Sequence, residues 1–328
     1  MTQASIGVIH SIPSGEALIA TVLPNYPISK PQTCLLYKRG LNDTYLVETQ
    51  SERYILRVYR KGWRTKEEID FELELLEFLH NKNLPVAYPI KREDGFTTEI
   101  AAPEGKRYAA IFSYAPGTVN EKLNREQSQR LGQVLAIIHQ NLDNFNSSFS
   151  RPHLNNQYLL DWAIGKIAPL YQHRRSVIEY LHTQVEQIKT QLEALKLPNS
   201  TPEYGICVGD VHSGNAHFNG ENQPTLFDFD QCGYGWRTFD IAKFMHIAIT
   251  WKIDVIVINS FLEGDQAVRQ LNTVELLSIP IFIKAAHIWV MGIGTSVVGD
   301  VIPYGWFTDD WLDQKLAMLK TLENDNAK

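Results

Sequence analysis

The sequence has few cysteines. Three occur among its 328 residues, at positions 34, 207 and 232, and no two are closely spaced. So sparse and odd a set argues against the disulfide framework that holds small secreted domains together. The spacing of Cys207, His212 and His217 also matches none of the usual structural zinc patterns. The cysteine content therefore favours a protein of a reducing compartment.

Targeting and membrane segments are also lacking. Residues 1–16 show no basic start followed by an apolar run, so we expect no secretory signal. The most apolar stretch, residues 247–262, is interrupted by Lys252 and Asp254, and it predicts a buried helix rather than a membrane span. We therefore expect a cytoplasmic protein that does not bind a membrane.

Positive charge is not in excess. The chain has 31 lysines and arginines against 37 aspartates and glutamates, for a net charge of -6. This balance argues against non-specific binding to nucleic acid or anionic membranes, although a local basic pocket can still hold phosphates. The chain is too long for one small core and suits one large two-lobed unit or two domains.

The texture of the sequence changes near residue 116. Before it, short runs rich in β-branched and aromatic residues, separated by polar or glycine-containing turns, predict strands. These predicted strands span residues 33–39, 44–50, 53–60 and 107–114. One predicted helix interrupts them at residues 64–83, and Thr65 and Glu68 at its start have the spacing of a capping box.

The chain after Ala115-Pro116-Gly117 has mainly helical periodicity. The predicted helices lie within residues 126–142, 174–197, 239–262, 272–298 and 309–324. We therefore predict a β-rich N-terminal lobe at residues 1–115 and a larger, mainly helical C-terminal lobe at residues 116–328.

Residues 204–230 break the helical pattern with apolar runs, turns and clustered acids. Strand-like residues 216–218 and 225–227 flank the turn residues 219–223, which predicts a hairpin. Such a hairpin would bring Asn215 and Asp228 to the same end.

Asp210, Asn215 and Asp228 together suit phosphoryl transfer. That reaction needs a group to orient or accept the hydroxyl proton, and oxygen ligands that hold magnesium on the phosphates. Asp210 can orient the hydroxyl or accept its proton, while Asn215 and Asp228 can supply the oxygen ligands for magnesium. One carboxylate and one amide suffice, because water and phosphate oxygens fill the rest of the magnesium shell. Each residue alone would be an ordinary loop or turn residue; their combination favours a site.

The segment Val208-Gly209-Asp210-Val211-His212-Ser213-Gly214-Asn215, followed by Asp228-Phe229-Asp230, resembles the aminoglycoside phosphotransferase and choline kinase superfamily. That family reads roughly H-G-D-x-H-x-x-N with a later D-x-D, and the likeness extends to its homoserine kinase-like and stress-response kinase-like branches. The resemblance implies a protein kinase-like bilobal α+β fold with an antiparallel N-terminal sheet and one helix. It implies ATP and Mg²⁺ as cofactors, with Asp210 as catalytic base, Asn215 and Asp228 as magnesium ligands, and Asp240 bracing the catalytic loop.

The N-terminal lobe resembles the family's nucleotide-binding lobe. Residues 40–45, with Asn42 among them, look like the loop that covers the nucleotide. Arg57 occupies the place of the lysine that contacts ATP phosphates, and arginine there keeps the charge. Glu72 lies where the family carries the partner acid. Residues 111–117 look like the hinge, so Ser113 and Ala115 are expected to hold adenine.

Three positions leave alternatives open. The family's histidine before Gly-Asp is Val208 here, so a different packing solution is expected at that point. Asp230 is equally well a second metal contact or a turn residue. His212 can cap the loop or touch the substrate, and the structural role is favoured.

These observations predict an ATP- and Mg²⁺-dependent phosphotransferase that acts on a hydroxyl of a small polar molecule. A protein Ser/Thr kinase of the stress-response type is the first alternative. A catalytically weak nucleotide-binding pseudokinase module is the second, which Val208 keeps open. The sequence leaves the acceptor and the oligomeric state undetermined.

Overall fold

The structure is a computed structural model, and it describes residues 6–324. Residues 1–5 and 325–328 lie outside the described residues. The prediction that residues 1–16 form no secretory signal falls partly on the first of these segments. The predicted lobes at 1–115 and 116–328 therefore each lose a few terminal residues from the description.

A five-stranded antiparallel sheet forms the N-terminal lobe, with the strand order β1-β2-β3-β5-β4. Its strands are β1 (Thr33–Arg39), β2 (Asn42–Glu48), β3 (Arg53–Tyr59), β4 (Thr97–Ala102) and β5 (Gly105–Ser113). Four of them lie close to the predicted runs. The sequence analysis missed β4, because its residues Thr-Thr-Glu-Ile-Ala-Ala include several that are poor strand formers.

Helix α2 (Lys66–Asn81) shares a buried apolar cluster with Tyr59, Ala110 and Phe112 of this sheet. It begins at the predicted capping box, in which the Thr65 side chain accepts from the Glu68 N–H and the Glu68 carboxylate accepts from the Thr65 N–H. Its buried face includes Glu72, a charged residue among apolar neighbours. A seven-residue helix, α1 (Gly15–Thr21), also packs on β1 and is too short to be read from periodicity.

Helices dominate the C-terminal lobe. They are α3 (Arg125–Leu142), α4 (Ala163–Ile167), α5 (Arg175–Leu195), α6 (Thr238–Thr250), α7 (Val255–Val268), α8 (Thr273–Ser296) and α9 (Asp309–Asn324). The bilobal kinase-like α+β fold predicted from the sequence is thereby confirmed.

The prediction of a single buried helix at residues 247–262 is wrong. The stretch is divided between the end of α6 and the start of α7, with Lys252 in the left-handed backbone region at φ 55°. Within residues 6–324, the one helix long and apolar enough to span a membrane is α8, and 67% of its most apolar window is buried inside the fold. Helix α8 is thus the central helix of the C-terminal core.

Two small sheets hold the loops between the large elements. One has the order β10-β9-β6 and contains β6 (Thr118–Val119), β9 (Ala216–Phe218) and β10 (Pro224–Leu226). The other has the order β7-β11-β8 and contains β7 (His153–Leu154), β8 (Tyr204–Cys207) and β11 (Gly233–Trp236). The predicted hairpin is β9–β10, with Ala216 opposite Leu226. The loop at residues 208–215 therefore lies between strands of both sheets.

Helices α3 and α7 approach each other closely through glycine. A Cβ built on Gly132 would lie 2.0 Å from the carbonyl oxygen of Phe261, and one built on Gly264 would lie 1.9 Å from that of Gln129. These contacts are with backbone, which cannot move aside as a flexible side chain can. The packing of the two helices therefore requires both glycines.

We expect Gly264→Ala to lower the free energy of unfolding by about 1–3 kcal/mol, the usual cost of overpacking a well-filled core. Gly165→Ala is the matched control. Gly165 is exposed within α4 and its Cβ would meet nothing within 4 Å, so alanine there should be neutral or stabilising. Denaturant unfolding of the two variants checks this, and equal stabilities would contradict the close-packing account.

Helices α6 and α8 are joined by a buried histidine pair. His287 Nε2 lies 2.9 Å from the carbonyl oxygen of Lys315, and His287 Nδ1 lies 3.0 Å from His246 Nε2. A neutral His287 that donates to Lys315 accepts from His246, so the chain of bonds fits two neutral rings. Burial lowers the pKa of His246 well below its ordinary value. Burial also lowers that of His287 from 6.5 to about 4.

The histidine pair predicts loss of stability in acid. Below pH 6.5 the unfolded chain binds a proton at His287, which the folded protein does not bind until about pH 4. Stability is therefore fully present above pH 6.5 and falls as the pH decreases to 4, by roughly 3 kcal/mol for this group. His287→Gln, which keeps a donor and an acceptor, should flatten the pH dependence of unfolding. His182→Gln, at an exposed position of α5, should leave it unchanged.

Candidate active site

The loop between β8 and β9 is held by a buried carboxylate. Asp240, in the first turn of α6, accepts from the backbone N–H groups of Val208 and Gly209 at 2.7 Å each. His139 of α3 lies 2.8 Å from the same carboxylate. Burial lowers the pKa of His139, although Asp240 acts in the opposite direction. The loop is thus fixed through its backbone, whatever the side chain at position 208, and Val208 packs in the core.

Gly209 is required at the bend of this loop. Its φ is +87°, and a Cβ there would lie 2.1 Å from the carbonyl oxygen of Gln231. Only glycine combines the left-handed backbone with so close an approach. The bend lies directly before Asp210.

Asp210 is partly exposed, with 29% of its side chain accessible. Its Oδ1 lies 2.5 Å from Nζ of Lys243, and its Oδ2 lies 3.7 Å from Nε2 of His212. Burial raises the pKa of Asp210, but Lys243 and then His212 outweigh it and hold that pKa well below its ordinary value. The other ring nitrogen of His212 accepts from the Gly214 N–H at 3.0 Å, so this histidine caps the loop.

Asn215 and Asp228 lie at the same end of the β9–β10 hairpin. The Phe227 N–H donates to the Asn215 carbonyl at 3.0 Å, and the Asn215 side chain donates to the Asp210 carbonyl at 3.0 Å. The amide oxygen of Asn215 therefore remains available for another ligand. Asp228 is 44% exposed at its side chain and has φ 65°, an unfavourable backbone conformation for a non-glycine residue. Such local strain is typical of functional positions.

Arg57 connects three elements. From β3 its guanidinium reaches Glu72 of α2 at 2.7 Å and Asp228 at 2.9 Å. The arginine is 9% exposed and Glu72 is fully buried. Burial raises the pKa of Glu72, and Arg57 beside it acts in the opposite direction. The sequence resemblance thus identified an ion pair that the fold brings together.

Asp230 is buried, and its carboxylate is bonded within the protein. Its buried carboxylate accepts from Trp63 at 2.7 Å and from the Asn42 side chain at 3.4 Å, and Arg64 lies 3.5 Å away. Burial raises the pKa of Asp230, but Arg64, Arg151 and Arg57 together lower it below its ordinary value. Asp230 joins the two lobes, which the sequence alone left undecided.

Asn42 and Ser113 have their side chains engaged within the protein. The Asn42 side chain donates to Asp230 and accepts from the Arg60 N–H at 3.2 Å. The Ser113 hydroxyl accepts from the Tyr88 N–H at 3.0 Å. Both polar atoms of the Asn42 amide are therefore engaged, whereas the Ser113 hydroxyl keeps its own hydrogen to donate.

Ala115 lies at the end of the segment predicted as the hinge. Its carbonyl lies 2.7 Å from Nδ1 of His217 on β9, while its N–H donates to no other residue that the structure describes. Gly117 has φ +92°, and β6, which starts just after it, pairs with β9. The hairpin that carries Asn215 and Asp228 is thereby attached to this hinge.

The sequence analysis missed Lys243, His139 and Trp63. Each acts on an acid far away in sequence, so no local motif marks it. Lys243 has one available signal, because it lies three residues after Asp240 and therefore on the same face of α6. Among residues 6–324 there is no group of three or more His, Cys, Asp or Glu side chains that could hold a metal. The candidate centre instead combines one amide and one carboxylate oxygen.

A model of the phosphotransferase enzyme family matches residues 38–270, a range that includes every side chain of this site. An uncharacterized protein of Synechocystis sp. is 44% identical over 283 residues, covering 86% of this chain and 78% of its own. A homoserine kinase of Sinorhizobium medicae is 24% identical over 254 residues, covering 75% and 73%.

A solved structure of an amicoumacin kinase in complex with AMP-PNP, Ca²⁺ and Ami has the same fold. The TM-score is 0.74 at 19% identity, and the match covers 92% of this chain and 91% of the kinase chain. At that identity the likeness establishes the fold alone.

The Arg57–Glu72 pair makes a prediction about stability. Arg57→Met leaves Glu72 buried and without its cation, which should cost about 3–5 kcal/mol of unfolding free energy. Changing both residues, Arg57→Met with Glu72→Leu, should recover most of that loss because no buried charge remains unpaired. Arg174→Met, which breaks an exposed pair with Asp313, is the control and should change stability little. A double variant no more stable than Arg57→Met would contradict this account.

Proposed function

Since the chain belongs to the phosphotransferase enzyme family, we propose that it transfers the γ-phosphate of ATP, with Mg²⁺, to a hydroxyl group of a small polar molecule. The observation that carries this proposal is the arrangement of three residues: the Asn215 side chain donates to Asp210, and Asp228 lies at the same end of the hairpin as Asn215. The enzyme class is that of phosphotransferases with an alcohol group as acceptor. A cytoplasmic location, where ATP is plentiful, belongs to the same proposal.

The nucleotide would lie between the N-terminal sheet and the β9–β10 hairpin. Arg57 offers a fixed cation for the phosphates, since Glu72 on α2 holds its guanidinium in place. The unengaged N–H of Ala115 offers a donor to adenine, and Asn42 and Ser113 line the approaches from the covering turn and the hinge strand. The solved amicoumacin kinase carries a nucleotide analogue and a divalent cation, which supports nucleotide and metal use in a fold of this kind.

Asn215 and Asp228 would hold Mg²⁺. Their free amide oxygen and half-exposed carboxylate are the hard oxygen donors that magnesium prefers, and a site with few protein ligands suits an ion that keeps water and phosphate oxygens. When bound, the metal neutralises charge on the transferring phosphoryl group. Asp228 has its present partner, Arg57, on one oxygen only, so the carboxylate retains room for an ion.

Asp210 would act on the acceptor. Its carboxylate is the exposed acid of the loop, and its Oδ2 has only distant partners, at 3.4 Å in Asn215 and 3.7 Å in His212. That oxygen can accept the proton of an acceptor hydroxyl and direct its oxygen in line at the γ-phosphorus. A depressed pKa keeps it ionised, so its main contribution is orientation.

A small acceptor is favoured over a protein acceptor. Two of the proteins similar to this chain are named as kinases of small molecules, homoserine for one and amicoumacin for the other. An inactive module is disfavoured because Asp240 and His139 hold the loop at Val208 without the family's histidine. Amino alcohols and hydroxylated amino acids are therefore the first acceptors to try.

The decisive experiment compares Asp210→Asn with Asp228→Ala. We expect Asp210→Asn to lower kcat by a factor on the order of a hundred or more while ATP affinity stays within a few-fold, because its contact is made mainly in the transition state. Asp228→Ala should instead abolish the effect of Mg²⁺ on nucleotide binding. Calorimetry with Mg-ATP and ADP release with a responsive acceptor measure the two quantities.

Asp313→Asn, at an exposed position of α9, serves as the control for an aspartate replaced away from the site. Wild-type turnover in Asp210→Asn would refute the proposed role of that residue. The proposed function would be refuted if the wild-type protein bound Mg-ATP but neither hydrolysed it nor phosphorylated any acceptor.

A further inference from the structure

Helix α6 fixes the catalytic loop with two side chains that lie one turn apart. Asp240 binds the backbone N–H groups of Val208 and Gly209. Three residues later, Nζ of Lys243 lies 2.5 Å from Oδ1 of Asp210. Residues at i and i+3 share one face of a helix. A single turn of α6 therefore fixes three consecutive residues of the loop, two by backbone and the third by its carboxylate.

We propose that Lys243 is a positioning residue for phosphoryl transfer, which fixes Oδ1 of Asp210 so that Oδ2 faces the acceptor hydroxyl. The inference rests on the proposed function and adds to it a residue that touches neither substrate. The two oxygens of Asp210 differ as this role requires. Oδ1 is in tight contact with the ammonium, whereas the partners of Oδ2 are no closer than 3.4 Å.

Burial supports a functional reason for this lysine. The Lys243 side chain is 2% exposed, and Asp210 is its one ion-pair partner among residues 6–324. Burying an ammonium group costs several kcal/mol, and the resulting ion pair is seldom more stable than two well-packed apolar residues. Packing alone would thus be served by an apolar side chain at position 243. The pair is better explained by the orientation that it imposes on Asp210.

The two histidines near Lys243 do not compete with it as a positive charge beside Asp210. His246 follows one turn later on α6, and His287 of α8 is bonded to it. Burial keeps the pKa of both histidines below the ordinary value, and the charge of Lys243 lowers that of His246 further. On the opposite side, Asn215 donates its side-chain N–H to Asp210. Lys243 therefore supplies the fixed charge against which Asp210 is aligned.

The step balances without any proton from Lys243. The acceptor oxygen forms a bond to the γ-phosphorus, the bond from that phosphorus to the β–γ bridging oxygen breaks, and ADP leaves. The hydroxyl proton passes to Oδ2 of Asp210. The ammonium keeps its three protons throughout and remains on Oδ1, so its effect on the rate is exerted through Asp210 alone.

A double-mutant cycle tests this dependence. Lys243→Met keeps the length of the side chain and removes its charge, and we expect kcat to fall on the order of 10- to 100-fold, as for other residues that orient a reacting group. ATP affinity by calorimetry should stay within a few-fold. In an Asp210→Asn background the same substitution should change kcat by about twofold or less, because the residue through which it acts is already lost.

Lys284→Met is the matched control. Lys284 is a second buried lysine, on α8, and its Nζ donates to Gln191 outside the site at 3.1 Å. Its replacement should leave kcat unchanged, which separates the loss of a buried lysine from the loss of this contact. If Lys243→Met alone does not fold, Asp210→Asn with Lys243→Met retains neither charge and is compared directly with Asp210→Asn.

Two results would overturn the inference while leaving the proposed function intact. One is a Lys243→Met enzyme with the kcat of the wild type. The other is an equal fall in kcat in both backgrounds, as expected of a residue that supports the fold alone. A wild-type protein that transfers phosphate to neither water nor any acceptor would overturn the proposed function instead, and the inference with it.

Discussion

The candidate site depends on one buried carboxylate, that of Asp240. Its oxygens accept hydrogen bonds from two successive backbone N–H groups of the loop and contact the ring of His139. Burying a carboxylate is costly unless its lone pairs are used, and here fixed donors use them. Because the contacts are to backbone, the loop keeps its shape without help from the side chain at 208. This explains how a valine can stand where the family has a histidine.

Arg57 connects the two lobes by ion pairs, as Asp240 holds the loop by hydrogen bonds. It pairs with one acid from α2 and one from the hairpin, so the trio of Arg57, Glu72 and Asp228 carries a net charge of −1 if all three are ionised. Such a trio suits the proposed binding of a divalent cation together with anionic phosphates. Neither lobe contains the trio alone, which means that the relative placement of sheet and hairpin sets its geometry. The electrostatics of the site therefore depend on how the sheet and the hairpin are placed relative to each other.

Local patterns predicted the local parts of this structure. The capping box at Thr65, four of the five N-terminal strands and the β9–β10 hairpin follow from residue periodicity and turn chemistry. The partners of Asp240 and Asp210 do not follow from such patterns, because His139 lies 101 residues from Asp240 and Lys243 lies 33 residues from Asp210. Such contacts are made by the packing of distant segments, and apart from the place of Lys243 three residues after Asp240 no local pattern points to them. The break between α6 and α7 was missed for a related reason, since Lys252 adopts a left-handed backbone conformation without being glycine.

Asp228 and Asp230 show why sequence left their roles open. They lie two residues apart and each follows a phenylalanine in the sequence, yet their side chains are 44% and 5% exposed, respectively. The left-handed conformation of Asp228 turns the chain between them, so that one carboxylate faces the cleft and the other the interface between the lobes. Trp63, Asn42 and Arg64 occupy the oxygens of Asp230 with donors, which a metal would have to displace. Within residues 6–324, Asp228 pairs with Arg57 alone, which is why the magnesium role is proposed for Asp228 and not for Asp230.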